Sequence, residues 1–398
     1  MRIAQASVPG GRPDEAAGAI VQALGVPFYG APDWIAVHHG AEAPAGPLRR
    51  ALTEALGGAV AIHGGGSCLG VMNRDGAHIA EGDAVGAFAI WDRAGDFGSA
   101  AVPFADDPRA AGAAAARAAI RAAGRDGEAP DLVWMTAAPG CEERVLAGVA
   151  DALGPTTPVV GGSAADNDVS GRWTVFDAAG ETGAGVVLSA LYPSAGVASA
   201  FQSGYAPTGP SGVATRAEGR TLFEIDGRPA RAVYAEWTGG AVVRPEGPDA
   251  PILAESSWSP LGREVETVAG VPLHLLAHPA LARADGGLDL FAEPRPGWRL
   301  HQMTGSPDSL ATRAGRLARA VIEEEAIGGA PAGALVVFCG GSMLAMRDRM
   351  DVVAAGLRDA LGDAPFLGVF TFGEQGWSPG AGSLHGNLMI SCTAFGRL

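Results

Sequence analysis

The chain contains no lysine; all 28 of its basic residues are arginine. That absence removes whole reaction classes. A Schiff-base lysine, a pyridoxal-phosphate anchor and a Walker-A lysine are all missing, so class I aldolase, P-loop NTPase and kinase chemistry fall together. Positive charge is scarce altogether, because 43 acidic residues leave a net charge of −15. Such a surface repels phosphate backbones, and without a basic cluster to overcome it nucleic acid is excluded as a partner. Cysteine is sparse too. Cys68, Cys141, Cys339 and Cys392 are far apart, with no CxxC or CxxCH, which fits reduced thiols in a cytoplasmic protein. No run of about 18 apolar residues is present, so no membrane span is expected. Residues 1–25 carry no long apolar stretch behind Arg2 and do not read as a signal peptide.

What is present is ordinary globular material: 398 residues, 47% hydrophobic and 18% charged. That length predicts two domains or one large composite. The 60 glycines and abundant alanines read first as codon bias.

One pattern is written three times. An amphipathic helix over 15–24 leads to an apolar strand over 33–39, a second helix over 47–56 and a short strand over 59–63. A glycine-rich loop, GGGSCLG, and a strand ending at Trp91 complete it. The order recurs about one hundred residues later, with a helix over 108–123, DLVWMT, a helix over 141–153, PVVGG, the loop SAADND and the strand GVVLSALY. It recurs again at the carboxyl end: a helix over 309–325, ALVVFC, a helix over 349–361, FLGVFTF, the loop GEQGWSPGAG and a last strand over 388–395. Residues 195–300 differ. Short alternating runs broken by Gly, Pro and Thr, with one helix over 229–237, predict antiparallel sheet.

The expected fold class is therefore α/β (mixed α+β), with repeated helix–strand–helix–strand–strand units forming mixed sheets flanked by helices. Two halves follow, 1–194 with two copies and 195–398 with the antiparallel segment and the third. Open α/β folds bind ligands where strands end and helices begin, so the loops at 64–70, 161–167 and 373–376 become the site candidates. Their convergence on one cavity is the central expectation.

The residues resemble the FIST family across almost the whole chain. The first half is similar to the FIST amino-terminal domain in its strand, helix and GGSAADND segments. The second is similar to the carboxyl-terminal domain in VATRAEGRTLFEIDGRPARAVYAEW, LARADGGLDLFAEPRPGWRLHQMTGSPDSL, ALVVFCGGSML, and FLGVFTFGEQGW followed by LHGN. The resemblance implies a bacterial small-ligand sensory domain, often fused to kinases, cyclases or chemoreceptors, with haem binding and nitric-oxide response in some members. Two departures stand out. The family's Tyr-Gly-Glu is Phe372-Gly373-Glu374 here, and its His-Asn pair is spread to His385-Gly386-Asn387. With no output domain expected after Leu398, a signal passes to a separate protein.

The candidate ligand-binding residues follow. Glu374, beside Gly373 at a strand end, can accept hydrogen bonds or act as a base, or simply cap a turn. His385 can ligate a metal or haem iron, with His39 as the other haem candidate, or serve as a structural donor. Asn387 follows it. Ser163, Asn167 and Ser67 adjoin glycines whose bare backbone lets N–H groups meet a ligand, or lie in plain tight turns. Cys141 opens a helix whose dipole would acidify it, opposed by Glu142 and Glu143; Cys339 ends a strand and reads as a buried apolar residue. Of His38 and His39, period two allows only one to face a pocket. Trp34, Trp134 and Trp377 read as core or rim. No HExxH or equivalent spacing points to zinc.

The leading reading is a ligand-binding sensor without catalysis. The alternatives are a haem-binding nitric-oxide sensor, and a hydrolase or transferase using Cys141, Ser67 or Glu374, for which the loop at 64–70 lacks Gly-x-Ser-x-Gly.

Overall fold

In the computed structural model, which describes residues 1–397 apart from Ala269, the three copies build three sheets. Copy one runs β1 (Arg2–Val8), α1 (Pro13–Ala23), a short α2 (Val26–Tyr29), β2 (Trp34–His39), α3 (Ala45–Leu56) and β3 (Ala61–Gly66). The hairpin β4 (Val71–Asn73) and β5 (Gly76–His78) and then β6 (Val85–Trp91) follow. Copy two runs β7 (Asp96–Pro103), α4 (Pro108–Ala122), β8 (Leu132–Ala137), α5 (Glu142–Leu153) and β9 (Val159–Ser163). Its hairpin is β10 (Val175–Phe176) with β11 (Glu181–Thr182), and β12 (Gly185–Tyr192) closes it.

Copy three opens with β13 (Val197–Ser203) and is then interrupted by an insertion. That insertion holds the strands β14 to β22 between Ala206 and Thr304, and the helices α6 (Ala230–Trp237) and α7 (Leu253–Ser256). The copy resumes with α8 (Pro307–Ile322), β23 (Gly333–Cys339), α9 (Gly340–Ala345), α10 (Met350–Leu361) and β24 (Phe366–Thr371). The hairpin β25 (Glu374–Ser378) and β26 (Gly382–Gly386), then β27 (Met389–Phe395), end the chain.

Every copy gives its hairpin away. The sheets read β1-β6-β2-β3-β10-β11, then β7-β12-β8-β9-β25-β26, then β13-β27-β23-β24-β4-β5. Each therefore has the order first, last, second and third strand, followed by a hairpin from another copy. The exchange is cyclic: copy one donates to copy three, three to two, and two to one. In each sheet only the second and third strands pair in parallel, joined through a helix as parallel strands require.

Burial follows from this. The outer faces of the sheets lie under α1 and α3, α4 and α5, or α8 and α10, each pair with its own apolar core. The inner faces meet in one shared core that includes Trp34, Phe88, Trp134, Leu335 and Phe395. The small residues also have work to do: a Cβ on Gly148 of α5 would sit 1.9 Å from the Arg109 carbonyl oxygen of α4. Those two helices touch through backbone, so glycine there is a packing requirement rather than only a codon habit.

The sequence reading missed the first strand of each copy. It had begun each unit with the helix, because β1, β7 and β13 are half-exposed edge strands with weak apolar alternation. The helix read at 229–237 matches α6, and the antiparallel sheet occupies 206–304.

Candidate functional site

The three loops meet in a closed ring of backbone contacts. From copy one, Cys68 N donates to Phe370 O at 2.9 Å, while Ser67 Oγ accepts from Phe370 N at 2.8 Å. From copy three, Phe372 N donates to Ser163 O at 3.2 Å, and Ser163 N returns to Gly373 O at 2.7 Å. From copy two, Ala165 N donates to Gly66 O at 3.0 Å, and Asn167 Oδ1 accepts from Leu69 N at 2.8 Å. Glycines make the approach close enough: a Cβ on Gly162 would lie 2.3 Å from the Thr371 methyl. The loops thus lock onto one another through close backbone contacts. Ser67, which also donates to Gly70 O, and Asn167, whose amide donates to Gly82 O, fasten one loop to the next.

Behind the ring lies a buried polar cluster. Glu142, the first residue of α5, is fully buried. It accepts from Ser163 Oγ at 2.6 Å, from Gly140 N at 2.9 Å and from the Arg220 guanidinium. Arg220 comes from the turn between β14 (Ala206–Glu218) and β15 (Thr221–Ile225) of the insertion, and it also binds Glu143 at 3.0 Å. Burial pushes the Glu142 carboxyl up, but His385 and Arg220, with the Ser163 hydroxyl, outweigh it and hold it down at about 2. His385 is packed in the same place. Its Nδ1 is 3.1 Å from Gln375 Nε2, and its Nε2 lies 3.4 Å from Phe291 O. Gly373 covers the cluster, since a Cβ there would come within 2.5 Å of the His385 ring. Glu142, Glu143 and His385 offer ligand atoms within 4.8 Å of one another, but the Arg220 guanidinium already supplies the cation on both carboxylates.

Glu374 is equally buried and oppositely served. Its partners are neutral: Thr371 Oγ1 at 2.8 Å and Met389 N at 2.9 Å. Burial pushes it up to about 8, so near neutrality the carboxyl carries its proton. It does not line the neighbouring cavity. In front of it Cys339, whose thiol burial also pushes up, faces that cavity, of about 480 Å³. This cavity lies between the end of β23, the insertion and the copy-two loop, and its walls include Trp258, His278, Phe291, Phe372 and Asn387. Burial lowers His278 to about 4, so its ring is neutral, and its Nε2 lies 3.0 Å from Leu253 O. Asn387 Oδ1 accepts from His278 N at 3.2 Å, whereas its buried Nδ2 has no partner.

Strain surrounds this cavity. Val169 and Leu388 both adopt left-handed backbone, at φ 59° and 56°, which is costly for a branched residue. Val169 is held there because the Asp166 carboxylate gathers four backbone N–H groups, those of Asp168, Val169, Gly171 and Arg172. Val169 and Leu344, exposed at 42% and 44%, stand on the cavity rim.

The remaining candidates go elsewhere. Cys141 is half-buried, and burial together with Glu142 raises its thiol, so the dipole does not activate it. Ser67 has no histidine or carboxylate partner among the described residues. His38 and His39 point to opposite faces, as a strand requires: His38 lies beside His63 inside, and His39 stacks on Phe176 outside. His39 Nδ1 lies 3.0 Å from Gly40 O and its Nε2 3.3 Å from Thr174 Oγ1. Neither His39 nor His385 has a ring nitrogen open to a cavity large enough for a porphyrin, so these residues do not fit haem. Sequence reasoning missed Arg220, Gln375, His278 and Trp258. Their only signal was membership in the family-like segments, because the partners that give them meaning are 78 and 77 residues away for Arg220.

Comparison with known proteins agrees with the sequence motifs. A model of the FIST N domain matches residues 34–228, and one of the FIST C domain matches 230–377. No curated protein matches the chain. Among solved structures, a cyanuric acid hydrolase from A. caulinodans is 12% identical, with 100% of this chain and 99% of that one covered, at a TM-score of 0.42. A second cyanuric acid hydrolase is 11% identical with 99% of each chain covered at 0.36. PurLQS from Thermotoga maritima is 10% identical, with 76% and 72% covered, at 0.24.

Proposed function

The chain belongs to the FIST family, and on that premise we propose that it is a small-ligand-binding sensory protein whose ligand occupies the cavity at Cys339 and Asn387. The observation that carries this is the mostly apolar chamber of about 480 Å³ whose wall holds Asn387, with its buried Nδ2 a donor without an acceptor. An unmet buried donor costs about 1–3 kcal/mol, and a ligand carbonyl or ring nitrogen would recover it. The walls supply aromatic faces, a neutral imidazole and a thiol with little charge, which suits a flat, uncharged, mostly apolar molecule. Strained Val169 and Leu388 at the margin are where a ligand would relieve or exploit stored conformational energy.

The site also explains sensing. It touches copy three, the insertion and the copy-two loop, so a ligand there bears on their relative packing and, through it, on a separate signalling protein. No described helix is long and apolar enough to cross a membrane. Catalysis gets no support from Ser67, Cys141 or Glu374, none of which pairs a cavity-facing nucleophile with a base.

The test is a thermal-shift screen against a panel of uncharged heteroaromatic metabolites. A hit raises the melting temperature by mass action, and Asn387→Leu abolishes that rise while leaving the unliganded melt within a few degrees. A panel without any shift, or a shift that Asn387→Leu leaves intact, refutes the assignment.

A further inference from the structure

A second cavity, of about 370 Å³, is lined by His385 of β26, whereas the first is lined by Asn387 just beyond that strand. Its body is aliphatic, with Leu146 of α5, Leu261, Leu275 and Leu300 of the inserted sheet, and Leu384 of β26. Its charged part is unusual. The Arg263 guanidinium stacks 3.7 Å from the centre of the Trp298 ring, and that of Arg295 lies 5.8 Å from the same ring.

Neither arginine has a carboxylate within ion-pair distance among the described residues, although the chain carries 43 acids against 28 arginines. Arg263 Nε is buried and unpartnered. Burial lowers the Arg263 pKa, and the like charge of Arg295 lowers it further. Two guanidiniums gathered at one indole and unpaired by a carboxylate favour an incoming anion, most of all at the half-buried Arg263. Stacking on tryptophan uses only the flat faces of a guanidinium and leaves its N–H edge for a forked oxygen pair.

We propose that this cavity binds an amphipathic monocarboxylate, with its apolar chain or ring among the leucines and its carboxylate on Arg263 and Arg295. A single negative charge is favoured over a phosphate dianion because Glu143 and Glu293 line the same cavity. Glu143 is already engaged by Arg220 and by Glu293 N. The inference stands apart from the first cavity and requires no ligand there.

Calorimetric titration of the full chain with sodium octanoate tests it, with octan-1-ol, sodium acetate and inorganic phosphate as controls. Octanoate saturates one site, while octanol and acetate bind at least tenfold more weakly and phosphate does not compete. Arg295→Gln, at an exposed position, weakens octanoate at least tenfold without moving the unliganded melt, and Arg263→Gln does the same or more. Undetectable octanoate binding, equal binding of octanol, or an affinity indifferent to Arg295→Gln overturns the proposal.

Discussion

Glu142 and Glu374 are neighbours, both wholly buried, both beside the loop ring, and they hold opposite charge states. Glu142 sits where copy two receives the insertion, and it has a guanidinium, a hydroxyl and a backbone N–H aimed at it. Glu374 sits within the hairpin that copy three donates and has only a hydroxyl and one backbone N–H. Burial is equal, so partners decide: one carboxyl is held at about 2 and the other is pushed up to about 8. His385 from the donated hairpin and Arg220 from the insertion make the difference. The same insertion brings Arg263 and Arg295, which have no carboxylate partner among the described residues.

The sharpest way to break the contrast is Arg220→Met. It strands two carboxylates in low dielectric, and a loss of about 3–5 kcal/mol is expected in urea unfolding; an unchanged midpoint would show that Arg220 does not hold Glu142. Ser163→Ala removes one charge-assisted bond and should lower stability by about 1.5–3 kcal/mol.

Melting curves against pH separate the two groups by sign. Glu142 titrates lower in the fold than in the unfolded chain, so its contribution is complete above about 4.5 and is lost as pH falls towards 2. Glu374 titrates higher, so its contribution is complete below about 4.5 and is lost as pH rises through 8. Glu142→Gln should flatten the acid side alone and Glu374→Gln the alkaline side alone. At pH 4, where Glu374 is largely protonated in both the folded and the unfolded chain, the smallest effect of the series is expected, Glu374→Gln changing stability by less than about 1 kcal/mol, because one neutral hydrogen-bonding group replaces another. Identical profiles for the two variants would show that the carboxylates share one charge state.

The copies themselves were legible because each pairs helices of period 3.6 with a short apolar strand, and that signal survives without knowledge of the partners. Cys339 was visible at the end of a strand and Asn387 in the family-like His-Gly-Asn segment at the entry to the last strand, and both line a cavity. Ser163, Gly373 and Glu374 were visible from the glycine-bearing loops, and all three are buried. Glu142 was noticed only as a charge opposing Cys141, since its partner Arg220 lies in another sheet.

Sequence alone determined the threefold repetition, the class of fold, the absence of lysine chemistry and the family. Tertiary structure alone decided that each hairpin leaves its own sheet, that three glycine loops lock together, and that chambers open beside them. The reason is range. Periodicity and turn chemistry act over a few residues, whereas cyclic exchange, the ionisation of a buried carboxyl and the emptiness of a cavity depend on atoms brought together from distant parts of the chain.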